Sequence, residues 1–99
     1  MQVRMQDHIV RVDMPEKVYV EEATMLREEV SKWLSGDIHK VEINFQNTGF
    51  IDSSGLGVIV TIHKRVMSKN GTLVIKNLQG SVKELFKMTR LNRVLTIEE

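Results

Sequence analysis

The chain has 99 residues, a formal net charge of +1, 41% hydrophobic and 27% charged residues, and no cysteine. That size fits one domain over residues 1–99, with a single core and little room for an enclosed catalytic cleft. Disulfides, thiolate catalysis and cysteine-ligated zinc are excluded, and the near-neutral charge gives no electrostatic footprint for nucleic acid or an anionic membrane.

The stretch Met1–Asp7 lacks the uninterrupted apolar segment of a secretory signal, and no window is long enough to span a bilayer. The cytoplasm is therefore the expected location. Apolar residues alternate at Val3, Met5, Val10, Val12 and Met14 around the polar break Gln6-Asp7-His8. This predicts two half-buried strands joined by a tight turn, the second stopped by Pro15, which has no N–H for a ladder. From Glu21 the spacing lengthens: Ala23, Leu26, Val30, Trp33 and Leu34 mark an amphipathic helix. Glu21, Glu22, Glu28 and Glu29 lie towards its start and Lys32 near its end, as the helix dipole favours. Ser35-Gly36 predicts a left-handed glycine stop. Val41, Ile43 and Phe45 predict a strand, followed by a loop at Gln46–Gly49. Leu56, Ile59, Val60, His63, Val66 and Met67 form a second helical stripe that ends at Asn70-Gly71. Thr72–Lys76 reads as a strand. Val82, Leu85, Phe86 and Thr89 line a third helix starting at Gln79 or Ser81, the latter in a capping box with Glu84. Val94–Ile97 reads as the last strand. Strands alternating with helices imply right-handed crossovers. The expected fold class is thus α/β, with a mixed, mostly parallel sheet, an N-terminal antiparallel hairpin and helices packed on the sheet.

The chemistry concentrates at Asp52-Ser53-Ser54-Gly55-Leu56-Gly57, where a strand passes into the second helix. Asp52 or Ser53 serves as an ordinary helix cap, since either side chain can accept from unpaired N–H groups, and Gly55 and Gly57 would let the turn approach the sheet. Three consecutive oxygen-bearing side chains exceed what one cap needs, and an interior glycine costs about 1 kcal/mol relative to alanine. A hydroxyl here also suits phosphorylation, because the positive end of a helix favours the added negative charge.

Phe50-Ile51-Asp52-Ser53-Ser54-Gly55-Leu56-Gly57-Val58-Ile59 resembles the hallmark segment of bacterial anti-sigma factor antagonists, members of the STAS domain family. Gly71–Val74 and Val82–Leu91 resemble the family's later strand and helix, and the element order matches over nearly the whole chain. The resemblance implies a partner switch and a STAS-like domain over 1–99. The unphosphorylated protein would bind an ATP-dependent anti-sigma factor serine kinase and so release sigma factor. Phosphorylation of the first serine, here Ser53, would end that binding, and a serine phosphatase acting on phospho-Ser53 would restore it. Asp52, Ser54, Gly55 and Leu56 would form the partner-contact surface, with Phe50 heading the segment and Glu16 in the preceding loop. The family often carries Gly-Glu-Leu-Asp in that loop. Met14-Pro15-Glu16-Lys17-Val18-Tyr19 keeps only the glutamate, which bears on the identity of the partner rather than on the fold. No cofactor, catalytic residue or metal is expected in the chain, since the nucleotide would belong to the kinase.

Other readings rank lower. Gly55-Leu56-Gly57 lacks the lysine-serine/threonine continuation of a phosphate loop, and Asn70-Gly71-Thr72 reads as a helix stop rather than a glycosylation site. His8, His39 and His63 are scattered; His63 is expected at the core edge with a hydrogen-bond partner. The six methionines are expected as core filler and Trp33 as a packing residue. A serine hydrolase built on Ser53 would need the G-x-S-x-G elbow, which is absent. The remaining alternative is a non-switching STAS scaffold subunit of a signalling or lipid-transport complex.

Overall fold

A computed structural model describes residues 1–98. β1 (Gln2–Gln6) and β2 (Ile9–Asp13) form the expected hairpin. Its central residues Asp7 and His8 both take left-handed backbone, with φ of 56° and 64°. Positive φ at both positions is what a two-residue turn needs to match the twist of its strands. β3 (Lys17–Val18) and α1 (Val20–Leu34) follow, then β4 (Lys40–Asn44), β5 (Phe50–Ile51), α2 (Ser53–Ser68), β6 (Thr72–Lys76), α3 (Gly80–Met88), α4 (Leu91–Val94) and β7 (Thr96–Glu98).

The main sheet has the order β1-β2-β4-β6-β7 and is antiparallel only between β1 and β2. The connections through α1, α2 and α3 all step the same way along it, so right-handed crossovers put these helices on one face. On that face the register aligns Val3, Val12, Ile43, Ile75 and Ile97 across all five strands, next to a row of Val10, Val41 and Leu73. Leu26 and Val30 from α1, Ile59 and Ile62 from α2, and Val82 and Phe86 from α3 close the core over these rows. Phe86 meets Phe45 edge-on, with ring centroids 5.9 Å apart, a geometry worth about 0.5–1.5 kcal/mol beyond area burial.

The opposite face is polar, and its central row runs Arg4, Arg11, Glu42, Val74, Thr96. Glu42 is buried there. Arg11 Nε donates to its Oε2 at 3.0 Å, while Lys40 Nζ and Lys76 Nζ lie 3.2 and 4.0 Å from its Oε1. Burial alone would raise this carboxyl, but the bond from Lys40, the charge of Lys76 and the bond from Arg11 outweigh it and hold the group below its ordinary value.

Several expectations from the sequence are corrected. Gly36 is not left-handed; α1 ends through Ser35 with right-handed backbone. After α2 it is Asn70 that takes φ 61°, a conformation asparagine tolerates. Gly71 is required for space instead, since a Cβ there would stand 3.0 Å from Val66 Cγ1 and 3.1 Å from the His39 carbonyl. The α2 core stripe includes Ile62 and omits the exposed Met67. For α3 the Gln79 alternative holds, with Gln79 at the cap position before Gly80, while the Ser81 alternative fails, the Ser81 hydroxyl donating to the Gly49 carbonyl. Val94 belongs to α4 and is exposed, so the last strand begins at Thr96. Of the methionines only Met14 is buried; Met5, Met25, Met67 and Met88 face outwards. Trp33 packs on the core as expected, though its buried Nε1 has no hydrogen-bond partner. The buried Nδ1 of His63 has none either, against the expectation of one.

A carboxyl with a lowered folded-state value contributes stability above the ordinary carboxylate range and loses it as pH falls through the folded value. Glu42→Gln is therefore expected to lower stability by about 1–2 kcal/mol near neutral pH and to flatten the acid-side decline. Urea denaturation of both proteins at neutral and acid pH tests this, and equal acid slopes would count against the role of Glu42.

Candidate functional site

The segment Asp52–Gly57 is positioned by a second, two-stranded sheet. Lys17 pairs with Phe50 and Val18 with Ile51 in parallel. The Glu16 carbonyl accepts from the N–H groups of Gly49 and Phe50 at 2.9 and 3.2 Å, and the Val18 carbonyl accepts from Asp52 N–H at 3.2 Å. The altered loop Met14–Tyr19 is thus bonded through its backbone to the strand that launches α2. One side chain from outside the loop adds a tie, as buried Thr48 donates its hydroxyl to the Pro15 carbonyl at 2.7 Å.

Asp52, in extended conformation, is the cap of α2: its Oδ1 accepts from Ser54 N–H at 2.9 Å and Gly55 N–H at 3.2 Å. The alternatives left open by the sequence are thereby decided for Asp52. Ser53, the first helical residue, is exposed, and among the described residues its hydroxyl has no hydrogen-bond partner. Ser54 is half-buried and Leu56 packs partly on the core. Gly55 is buried where β3 and β5 press on the first turn. A Cβ there would lie 2.7 Å from Ile51 Cγ1 and 3.0 Å from Val18 Cγ1, both on stiff β-branched side chains. Gly57 is different: it is exposed, and a Cβ would meet nothing within 4 Å.

Phe50, half exposed, lines an open apolar groove of about 460 Å³ with Tyr19, Ile51, Val82, Leu85 and Met88. A more polar cleft of about 430 Å³ abuts it, sharing Gly49 and Ser81, and Glu16 stands on its rim. The structure therefore gathers Glu16, Phe50 and Asp52–Leu56 at the end of the sheet where the parallel strands finish. The contributions of Tyr19 and of Leu85 and Met88 escaped sequence reasoning. Exposed Tyr19 and Met88 carry no motif, and only the packing of α3 beside β5 reveals them.

No histidine stands close to Ser53 along its own helix. His63 lies ten residues further along α2, about 15 Å by helix rise. His8 and His39 stack on each other with centroids 4.9 Å apart beside Asp37, before the first residues of β2 and β4 and so at the other end of the strands. Among the described residues no group of histidines and carboxylates is disposed to hold a metal ion, and no helix is long and apolar enough to cross a membrane.

Known proteins share this architecture. The chain is 28% identical over 95 residues to the anti-sigma-B factor antagonist of Bacillus subtilis (strain 168), covering 96% of this chain and 86% of that protein. The crystal structure of a candidate anti-sigma factor antagonist from Thermotoga maritima superposes with a TM-score of 0.88 at 27% identity, covering 99% of this chain and 85% of the other. The Bacillus cell fate determinant SpoIIAA in its phosphorylated form gives 0.80 at 18% identity, over 99% and 90% of the two chains; that likeness is one of fold. The STAS domain model matches residues 1–99, and the chain belongs to the STAS domain family.

Proposed function

We propose that the chain is an anti-sigma factor antagonist that works by partner switching, with Ser53 as the phosphoacceptor. The observation that carries this reading is the free, exposed hydroxyl of Ser53 immediately after a helix cap supplied by another residue. Because Asp52 already accepts from the N–H groups of Ser54 and Gly55, the Ser53 hydroxyl has no capping task that a modification would disturb. In the proposed cycle the unphosphorylated chain binds an anti-sigma factor serine kinase through Asp52, Ser54, Gly55, Leu56, Phe50 and Glu16, and sigma factor is released. The kinase then moves the γ-phosphoryl of ATP to Ser53 Oγ, the hydroxyl proton leaves and ADP forms. A serine phosphatase returns the chain to its binding state. The similarity to the Bacillus subtilis antagonist supports the choice of partner, and the cytoplasm is the compartment in which it would be met.

The phosphate would act on the interface rather than on the fold. It adds about −1.5 to −2 charge beside Asp52, yet the helix start favours an anion by about 0.3–1 kcal/mol. Like charge and bulk fall instead on a contact surface, where an unfavourable juxtaposition costs several kcal/mol.

Incubation with the anti-sigma factor serine kinase and Mg-ATP should add one phosphate, at Ser53, and Ser53→Ala should accept none by tandem mass spectrometry. Transfer to Ser54 would overturn the assignment. Ser53→Asp should bind the kinase at least tenfold more weakly while its unfolding free energy moves by less than about 0.5 kcal/mol. Asp52→Ala is the complementary control and should cost about 1 kcal/mol of stability through the lost cap. Calorimetry and urea denaturation read the two effects separately, and unchanged kinase affinity in Ser53→Asp would exclude a charge-gated switch.

A further inference from the structure

Two polar residues are buried among the described residues, Glu42 and Thr48. Glu42 has three cations around it on the polar face of the sheet. Thr48 is 2% exposed and lies in the loop between β4 and β5. A buried hydroxyl is unfavourable unless it is bonded, and valine has the same branched shape without that cost. The bond that Thr48 makes is to the Pro15 carbonyl, 33 positions earlier in the chain.

We infer that Thr48 is a positioning residue: its hydroxyl fixes the loop that carries Glu16, and so sets how that loop meets the anti-sigma factor serine kinase. This rests on the switch reading above and adds a residue which that reading leaves unused. The stretch from Met14 to Val18 is buried at both ends, while Glu16 and Lys17 between them are exposed. At the far end Val18 sits in the core and its carbonyl accepts from Asp52 N–H at 3.2 Å. At the near end the Glu16 carbonyl accepts from Gly49 and Phe50 N–H, and both of those residues are exposed. Backbone bonds between exposed residues exchange readily with water and hold little alone. Thr48 supplies what they lack. Its own N–H donates to the carbonyl of fully buried Phe45 at 3.0 Å, so it is anchored to the core. Its hydroxyl then reaches the residue immediately before Glu16, whose carbonyl is its one backbone hydrogen-bonding group because proline has no N–H. Glu16, Thr48 and Gly49 line the same polar cleft. Loss of the hydroxyl would free the Glu16 end of the loop and leave the Val18 end, with Asp52 and Ser53, in place.

The test compares Thr48→Val, which keeps the branched shape and removes the hydroxyl, with Thr48→Ser, which keeps the hydroxyl and removes a methyl. Amide hydrogen exchange by NMR reads the loop in the free chain, and urea denaturation reads stability. Calorimetry with the kinase and Mg-ADP reads affinity, and steady-state phosphorylation with Mg-ATP separates KM from kcat. In Thr48→Val the Gly49 and Phe50 amides should exchange about tenfold faster, the worth of about one hydrogen bond. The Asp52 amide and those of β4 and β6 should stay protected. Kinase affinity should fall about tenfold, with KM raised to match and kcat unchanged. Thr48→Ser should restore exchange, affinity and KM, even though its lost methyl lowers stability to urea. Affinity that followed stability instead, with Thr48→Ser the weaker binder, would make Thr48 a packing residue and overturn the inference. So would natural affinity in Thr48→Val, or faster exchange spread evenly over the sheet. These outcomes leave the switch reading standing; a natural chain that the kinase neither binds nor phosphorylates would remove that reading and this inference together.

Discussion

The carbonyl of Glu16 accepts two backbone N–H groups, and from that junction Lys17–Val18 run parallel to Phe50–Ile51. The candidate site depends on this short pairing. It presses Val18 and Ile51 against the first turn of α2, which excludes a side chain at Gly55, and it holds Asp52 extended so that its carboxylate turns onto the helix start. Two residues per strand supply few hydrogen bonds, so the pair persists because Val18 is fully buried in the main core. The loop that departs from the family pattern is therefore the loop to which the strand leading into Asp52 and Ser53 is bonded. Its backbone can conserve the position of Ser53 while its side chains vary.

Periodicity carried much of the fold. β1 and β2 were legible because one face is buried and the other is not, which leaves a strict alternation. α1 was legible because its buried residues Ala23, Leu26, Val30 and Leu34 keep one face to the sheet. β3 was not legible: a two-residue parallel strand shows no period, and its partner lies more than thirty residues away in sequence. α4 was misread because Val94, Thr96 and Ile97 are all β-branched. The left-handed Arg90 instead permits one more helical turn and leaves Leu95 as the buried anchor. Met67 fits the helical spacing as well as Ile62 does, and only the position of the sheet decides between them. Of the site, the motif from Asp52 to Gly57 was legible. The flanking groove, assembled from α1, β5 and α3, was not.

The main sheet separates its two duties by face. Helices cover the apolar rows, and the other face satisfies a buried carboxylate with three cations from its own and neighbouring strands. That polar face explains why β4 and β6 do not alternate cleanly. Glu42 is buried by the long side chains around it and Val74 is covered on the same row, so both central strands read as continuous buried runs. Charges paired within the sheet are poor candidates for recruiting a partner, because docking would have to displace bonds already made. The exposed apolar side chains Tyr19, Phe50 and Met88 instead cluster around the groove that Phe50 and Ile51 line.

A switch at a helix start meets two opposed requirements. The fold must be indifferent to a phosphate, and the partner must be sensitive to it. Asp52 meets the first by taking over the cap, which leaves the adjacent hydroxyl without a structural bond. The second calls for a surface that closes tightly over that hydroxyl, because a loosely covered phosphate would stay hydrated and its charge would be screened. Gly55 is crowded by Ile51 and Val18 whereas Gly57 is open, so two glycines a single residue apart stand in different surroundings.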